Sequence, residues 1–159
     1  VADSIEAAAI TSAQRDMHWV SREDLGLSYR HSDLPTGSIV TGARFRCTDA
    51  DPAMRERLAA VLAYRKATQP LTMPSCGSVF ANPPGDHAGR LIESCGLKGH
   101  RIGGAQVWEQ HANWIVNTEA ATASDVKALI EVCIARVEAQ HGIVLRHEVR
   151  LLGDWGGGQ

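Results

Sequence analysis

Residues 122–142 carry the pattern that most restricts the fold. Their apolar side chains recur at spacings of three and four residues, which places them on one helical face: Val126, Leu129, Ile130, Cys133, Ile134 and Val137. Thr122 suits the N-cap, Asp125 stands at N3 where its charge favours the helix dipole, and Gly142 ends the helix. A one-sided apolar stripe has to be covered, so we expect this helix to pack on a β-sheet.

The remainder of residues 48–153 predicts further elements around that helix. Asp51 and Pro52 suit the first positions of a helix that runs to about residue 66, with an apolar face formed by Met54, Leu58, Val61 and Leu62. Strands are predicted at 79–80, 105–108, 113–117 and 144–152, and a short helix at 88–96. This order predicts an α+β fold, a small mixed sheet with helices packed on one face, because strand–helix–strand connections favour parallel neighbours.

Residues 1–47 give weaker signals. The alanine-rich residues 1–16 have no defined face and are compatible with a helix or a frayed end, whereas 17–20 and 39–47 predict strands. Ser21 with Asp24 resembles a helix start that Gly26 ends early. We expect a domain boundary after residue 47, a second domain over 48–153 and a flexible tail at 154–159.

Composition excludes several classes of protein. The 159 residues carry a net charge of −2 and only 21% charged side chains, so we expect no nucleic-acid partner. No apolar run approaches the roughly 20 residues of a membrane helix, and no signal peptide opens the sequence. The four cysteines are far apart, which is typical of small buried side chains in a reducing compartment and predicts no metal site.

A hydroxyl stands at the mouth of a short predicted strand. Gly77 suits a sharp turn, and Val79 and Phe80 favour a strand, which the turn-forming residues 82–86 then end. Ser78 stands between the turn and the strand. Serine is common in turns for backbone reasons alone, so Ser78 by itself does not indicate a functional site. The motifs around it have to show whether it is functional. The glycine-rich residues 96–104 are not a dinucleotide fingerprint, because they do not follow a strand and open a helix.

Seven short motifs together resemble the C-terminal part of the UDP-N-acetylmuramate dehydrogenase family, also called UDP-N-acetylenolpyruvoylglucosamine reductases. They occur in family order across residues 17–153: Tyr29-Arg30-His31-Ser32, Gln69-Pro70, residues 74–83 (PSCGSVFANP), residues 88–93 (AGRLIE), Gly103-Gly104-Ala105-Gln106-Val107, His111-Ala112-Asn113 and His147-Glu148-Val149-Arg150. Each motif is weak by itself, whereas seven at family-like spacings are specific.

The resemblance implies a cytoplasmic flavoenzyme of peptidoglycan precursor synthesis, in which NADPH reduces FAD and UDP-N-acetylglucosamine enolpyruvate becomes UDP-N-acetylmuramate. By the same resemblance, Ser78 matches the serine that protonates the substrate carbon, and Arg30 and Glu148 match the residues that stabilise the intermediate. Gln69, Asn82 and Gln106 match positions that contact substrate.

These residue types suit the implied reaction. Negative charge develops on an α,β-unsaturated carboxylate, which a guanidinium can bind with two parallel hydrogen bonds, and a proton donor must lie within about 3 Å of the carbon. Arg146 and Arg150 flank Glu148, and nearby cations keep a carboxylate ionised, so we favour Glu148 as an orienting group over a proton donor.

The sequence also departs from the family pattern. The glycine-rich FAD-binding segment is missing, residues 1–47 resemble only the end of the flavin domain, and Ala81 stands where the family often has lysine. We therefore expect poor FAD binding and no turnover by this chain alone. A flavin-free UDP-sugar-binding module and an interaction domain without a ligand remain alternative hypotheses.

Overall fold

The computed structural model describes residues 3–49 and 51–155, which form two compact units, Val1–Met54 and Arg55–Gln159. The tail expected at 154–159 is described only at Asp154 and Trp155, and residues 156–159 lie outside the described part. The division falls a few residues after the boundary proposed from the sequence.

The first unit is a three-stranded antiparallel sheet. Its strands are β1 (Ile5–Ser12), β2 (Arg15–Ser21) and β3 (Ile39–Phe45), in the order β2-β1-β3. The expectation of a helical or frayed start is wrong, because β1 is the central strand and its alanines pair on both sides: Ala9 lies opposite Trp19 of β2 and Gly42 of β3. Two of these small side chains, Ala8 and Ala9, are buried on this central strand.

The helix start predicted at Ser21 is a single turn. The Asp24 N–H donates to Ser21 Oγ at 3.3 Å, and the Leu25 N–H donates to the Ser21 carbonyl at 3.1 Å. Leu25 is buried with Ala8 and Ile10 in a small core. The capping chemistry was therefore read correctly, but Gly26, at a φ of +53°, ends the turn before a helix can form.

Helix α1 (Met54–Thr68) confirms the predicted helix but not its buried face. Asp51 accepts a hydrogen bond from the Ala53 N–H at 2.8 Å, as its predicted capping role requires. The side chains of the predicted apolar face each keep 54–56% of their accessible surface: Met54, Leu58, Val61 and Leu62. Helical periodicity predicted a face that can be covered, but periodicity does not specify what covers it.

The second unit contains a four-stranded sheet and two further helices. Strands β4 (Ser75–Ser78), β5 (Arg101–Ile102), β6 (Ala105–Val107) and β7 (Trp114–Asn117) have the order β4-β7-β6-β5. The helices are α2 (Ala88–Ser94) and α3 (Ala123–His141); α3 packs on β5 and β6, and α2 packs on α3. The α+β class is confirmed, whereas the pairing in this sheet is antiparallel throughout, without the parallel neighbours that a mixed sheet requires.

Helix α3 supplies much of the core, as its pattern predicted. Leu129, Ile130, Cys133 and Val137 are buried, and the thiol of Cys133 has its pKa raised to about 12, mainly by burial. A complete capping box is present: the Asp125 N–H donates to Thr122 Oγ1 at 3.1 Å, and the Thr122 N–H donates to the Asp125 carboxylate at 2.9 Å. The other cysteines differ from expectation, because Cys47 and Cys76 are exposed.

The glycine-rich segment, residues 96–104, has a structural role in turns. It carries β5, which the sequence did not predict, and connects it to β6. A Cβ atom on Gly104 would lie 1.8 Å from the Glu119 carbonyl oxygen, so only glycine permits this approach of two backbones.

The last predicted strand, 144–152, is extended but forms only an isolated bridge between Phe80 and His147. The alternation of buried and exposed side chains that a strand would show holds only as far as Arg146: Leu145 is buried and Arg146 is exposed, but His147 is exposed and Glu148 is half-buried. None of the described helices combines the length and apolar character that crossing a membrane requires.

The capping box makes a prediction about pH. The Thr122 N–H and hydroxyl hold the pKa of Asp125 below its ordinary value, so its stabilising contribution is fully present above the ordinary carboxyl range near 4 and is lost as the pH falls through the lowered pKa. Asp125→Asn should lower the thermal midpoint of the second unit at pH 7, and the difference should shrink below about pH 4. Helical circular dichroism measures both, and the control is Glu138→Gln on the exposed face of α3.

Candidate functional site

Ser78 ends strand β4 immediately after a β-bulge. Ser75 lies opposite Val116 of β7 and Ser78 opposite Trp114, so β4 has one residue more than its partner in this interval. Gly77 adopts a φ of +83°, in the left-handed region that favours glycine. Bulges of this kind redirect the side chain that follows, and here that side chain is the Ser78 hydroxyl.

The buried side chain of Asn113 fixes the segment that follows Ser78. Asn113 Oδ1 accepts a hydrogen bond from the Phe80 N–H at 2.9 Å, and its Nδ2 donates to the Phe80 carbonyl at 2.9 Å. The Asn113 carbonyl also accepts from the Val79 N–H at 2.9 Å. Asn113 is only 6% exposed, so these bonds have no competing water and hold residues 78–80 in one conformation.

The segment containing Glu148 lies on the other side of the same backbone. The Glu148 N–H donates to the Val79 carbonyl at 2.8 Å, and the Ala81 N–H donates to the Arg146 carbonyl at 3.0 Å. Glu148 therefore lies beside the residue that follows Ser78. The structure thus brings together these two residues, which are seventy positions apart in the sequence.

Two cavities meet at Ser78. The α2-side cavity has a volume of about 270 Å³ and is lined by Asn82 and by α2 residues that include Arg90. The α1-side cavity has a volume of about 260 Å³ and is lined by Gln69 and Tyr64. Both are also lined by Ser78, Gln110 and His111. The two cavities therefore share a wall formed by these three residues.

The predicted substrate contacts differ in their positions. Asn82 Oδ1 accepts from the Ala88 N–H at 3.1 Å, which ties the cavity wall to the start of α2. Gln69 Oε1 accepts from Arg65 Nε at 3.3 Å. Gln106 lines neither of these cavities; its amide donates to the Gly99 carbonyl at 3.1 Å across the β5–β6 turn. The roles of all three in substrate contact stay predictions.

Arg90, which lines the α2-side cavity, forms an ion pair with Asp86. Arg90 donates from Nε to one Asp86 carboxylate oxygen at 2.7 Å and from Nη2 to the other. These hydrogen bonds hold the pKa of Asp86 far below its usual range and raise that of Arg90. Sequence reasoning did not select Arg90, Gln110 or His111, although two of them lie within the quoted motifs; their residue types were visible, but their shared cavity was not.

Arg30, the remaining predicted catalytic residue, lies in the first unit on a tight turn. Ser28 and His31 exchange two backbone hydrogen bonds, of 3.1 and 3.2 Å, around Tyr29 and Arg30. Arg30 has a φ of +56°, which is unfavourable for a residue with a Cβ atom, and its guanidinium carbon lies 6.0 Å from the Tyr29 ring centroid. A positive φ at a residue with a Cβ atom is uncommon, and among the described residues Arg30 shares it with Ala120.

The Asn113 arrangement predicts a large effect of a small change. Asn113→Ala would leave the buried N–H and carbonyl of Phe80 without partners and should cost about 2–4 kcal/mol of unfolding free energy. Urea unfolding followed through the amide signals of β4 and β7 measures this loss. Gln110→Ala, at an exposed neighbouring position, should change it by less than about 0.5 kcal/mol.

The Arg30 turn gives a second stability prediction. Arg30→Gly should be more stable than Arg30→Ala by about 1 kcal/mol, because glycine adopts the left-handed conformation without steric cost. At Tyr29, which is not in that region, the order should reverse. Thermal unfolding of the four variants provides the comparison, and equal stability of the two Arg30 variants would contradict the turn geometry.

Comparisons with known proteins show which family the chain belongs to. A family described as UDP-N-acetylenolpyruvoylglucosamine reductase, C-terminal domain, matches residues 69–152. The chain is 49% identical to the UDP-N-acetylenolpyruvoylglucosamine reductase of Myxococcus xanthus, over 95% of this chain and 49% of the relative. It is 50% identical to that of Methylococcus capsulatus, over 86% of this chain and 45% of the relative.

A solved structure, that of the UDP-N-acetylenolpyruvylglucosamine reductase from Thermus caldophilus, superposes with a TM-score of 0.79 at 39% identity. The match covers 94% of this chain and 53% of that protein. The chain thus spans about half the length of the curated relatives it matches. The resemblance drawn from the seven motifs is confirmed, and the chain belongs to the UDP-N-acetylenolpyruvoylglucosamine reductase family.

Proposed function

We propose that this chain is the substrate-binding, C-terminal portion of a cytoplasmic reductase that converts UDP-N-acetylglucosamine enolpyruvate to UDP-N-acetylmuramate. The observation that carries the proposal is the position of Ser78, which lies at the meeting of two cavities on a backbone held by Asn113 and by the Glu148 segment. Family membership supports the reaction class, a reduction that supplies peptidoglycan precursor.

The flavin belongs mainly to the other half of the complete protein. FAD, reduced by NADPH, would supply the hydride there. The described residues of the first unit (3–49 and 51–54) form a three-stranded sheet and turns, and the helix start that they include, that of α1, is capped by Asp51. A capping carboxylate occupies the place that a dinucleotide diphosphate would take at a helix N-terminus, so we propose that these residues by themselves bind FAD poorly.

Ser78 is the proton donor of the proposal. A serine hydroxyl is a weak acid in water, so it can protonate only a strongly basic carbon, and only if it is held in place. The bulge at Gly77 and the Asn113 hydrogen bonds restrict the backbone on both sides of Ser78. This restriction favours a hydroxyl that is already directed at the substrate before the proton moves.

Arg30 and Glu148 are the residues that stabilise the intermediate, on which negative charge develops. A guanidinium can bind the substrate carboxylate with two parallel hydrogen bonds, and the strained turn at Arg30 is the cost of presenting it. Glu148 is half-buried, and its N–H is hydrogen-bonded to the residue that follows Ser78. We therefore assign Glu148 an orienting, hydrogen-bond-accepting role.

Ser78→Ala in the full-length protein separates catalysis from binding. Turnover should fall at least 100-fold, because a general acid contributes about 10²–10⁴-fold, whereas flavin reduction by NADPH and substrate affinity should change little. The matched control is Ser75→Ala, at the other end of β4 and outside both cavities. Unchanged turnover in Ser78→Ala would favour a binding module instead.

A binding experiment tests this chain alone. UDP-N-acetylglucosamine should shift the amide signals of residues 78–82 and 110–113, and added FAD should leave its absorbance near 450 nm and its fluorescence unchanged. Absence of any shift would contradict substrate binding by the second unit. A changed flavin spectrum would show that residues 1–47 hold more of the cofactor site than we propose.

A further inference from the structure

The imidazole of His111 has no role in the proposed chemistry, yet it lines both cavities together with Ser78 and Gln110. It stands on the turn between β6 and β7, two residues before Asn113. Since the backbone of this turn is joined to residues 79 and 80, the position of the ring is coupled to the position of Ser78.

One hydrogen bond fixes the chemical character of the ring. The Asn113 N–H donates to His111 Nδ1 at 3.2 Å, so Nδ1 acts as an acceptor and carries no proton. In a neutral imidazole the proton must then be on Nε2, which is left as a donor. The backbone thereby selects the tautomer and leaves a donor on the opposite edge of a ring that lines both cavities.

Gly89 of α2 provides the space for this ring. A Cβ atom at position 89 would lie 2.9 Å from His111 Cε1 and 3.3 Å from Nδ1. The third-nearest atom is the Asn113 Cβ, at 3.6 Å, an ordinary contact. Gly89 lies inside a helix, where alanine is the more favourable residue, so the glycine stabilises neither the helix nor a turn. The space left by the missing side chain at position 89 accommodates the imidazole.

Other charged or aromatic side chains of these cavities either have partners within the chain or line only one of the two cavities. Arg90 is paired with Asp86, and Glu93 with Lys98 at 2.6 Å, so both charges of α2 that line the cavity have partners within the chain. His87 lines only the α2-side cavity, and Tyr64 lines only the α1-side cavity. Among the described lining residues, His111 is the ring shared by both cavities.

We propose that His111 is a ligand-binding residue of this site, a neutral imidazole that donates a hydrogen bond from Nε2 to an oxygen of a nucleotide sugar lying across the two cavities. Gly89 and the Asn113 N–H are the groups that hold it in that orientation. This inference rests on the proposed function, because the nucleotide sugar is the ligand class proposed there. The bond involves no transfer of a proton.

The test uses this chain and UDP-N-acetylglucosamine, with UDP alone as a second probe. His111→Ala should weaken binding about tenfold, as loss of a hydrogen bond from a fixed donor implies. His111→Gln, whose amide nitrogen can take the place of Nε2, should stay within about threefold of the unchanged chain. Loss of affinity for UDP as well identifies a diphosphate oxygen as the acceptor, and loss for the sugar nucleotide alone identifies a sugar oxygen.

Gly89→Ala provides an independent arm that keeps the histidine. The new methyl group must displace the imidazole, so binding should weaken as it does in His111→Ala, although the helix itself should not be destabilised. His100→Ala, at an exposed position outside both cavities, is the matched control and should bind normally. Amide spectra of each variant establish that the second unit remains folded.

Nitrogen-15 spectra of the ligand-free histidines give a readout that does not depend on binding. His111 should show the Nε2–H tautomer, and Gly89→Ala should alter that signal. A dominant Nδ1–H tautomer, or normal affinity in His111→Ala, would overturn the role of His111 and leave the proposed function intact. If the unchanged chain fails to bind the nucleotide sugar, the proposed function fails and the inference fails with it.

Discussion

The pair of hydrogen bonds between the Asn113 side chain and the backbone of Phe80 is the interaction on which the site depends. It acts where water is excluded, so each bond is stronger than at the surface, and loss of either would leave a buried polar group without a partner. It also joins the turn that carries Gln110 and His111 to the strand that carries Ser78. One side chain thereby couples the proposed proton donor, the cavity walls and the core.

Left-handed backbone conformations carry different costs at different residues. In the second unit the bulge before Ser78 places such an angle on glycine, where it costs little, whereas Ala120 has a φ of +40° on a residue with a Cβ atom. In the first unit a left-handed conformation falls on Arg30, where a side chain with a Cβ atom is disfavoured. Glycine would satisfy that turn more easily, so the arginine at this position lowers local stability.

Local patterns predicted helices better than strands. The capping box, apolar stripe and terminal glycine of α3 all lie within 21 consecutive residues, and each was read correctly. The strand β1 was missed because its alanines give no alternation in size, and β5 because it is two residues long between glycines. The face of α1 was read correctly as apolar, but it is exposed in the structure, since burial depends on a partner that periodicity does not identify.

By itself the sequence determined the helices and the family and proposed the candidate residues Arg30, Ser78 and Glu148, because capping, periodicity and short motifs are local or ordered along the chain. Only the tertiary structure decided which side chains share a cavity. Ser78, Asn113 and Glu148 are adjacent because one backbone segment is hydrogen-bonded on both sides, through contacts between residues 33 or more positions apart. The tautomer of His111 and the need for glycine at position 89 follow from the same packing. Neither is encoded in a local pattern, since each depends on distances between elements that meet only in the folded chain.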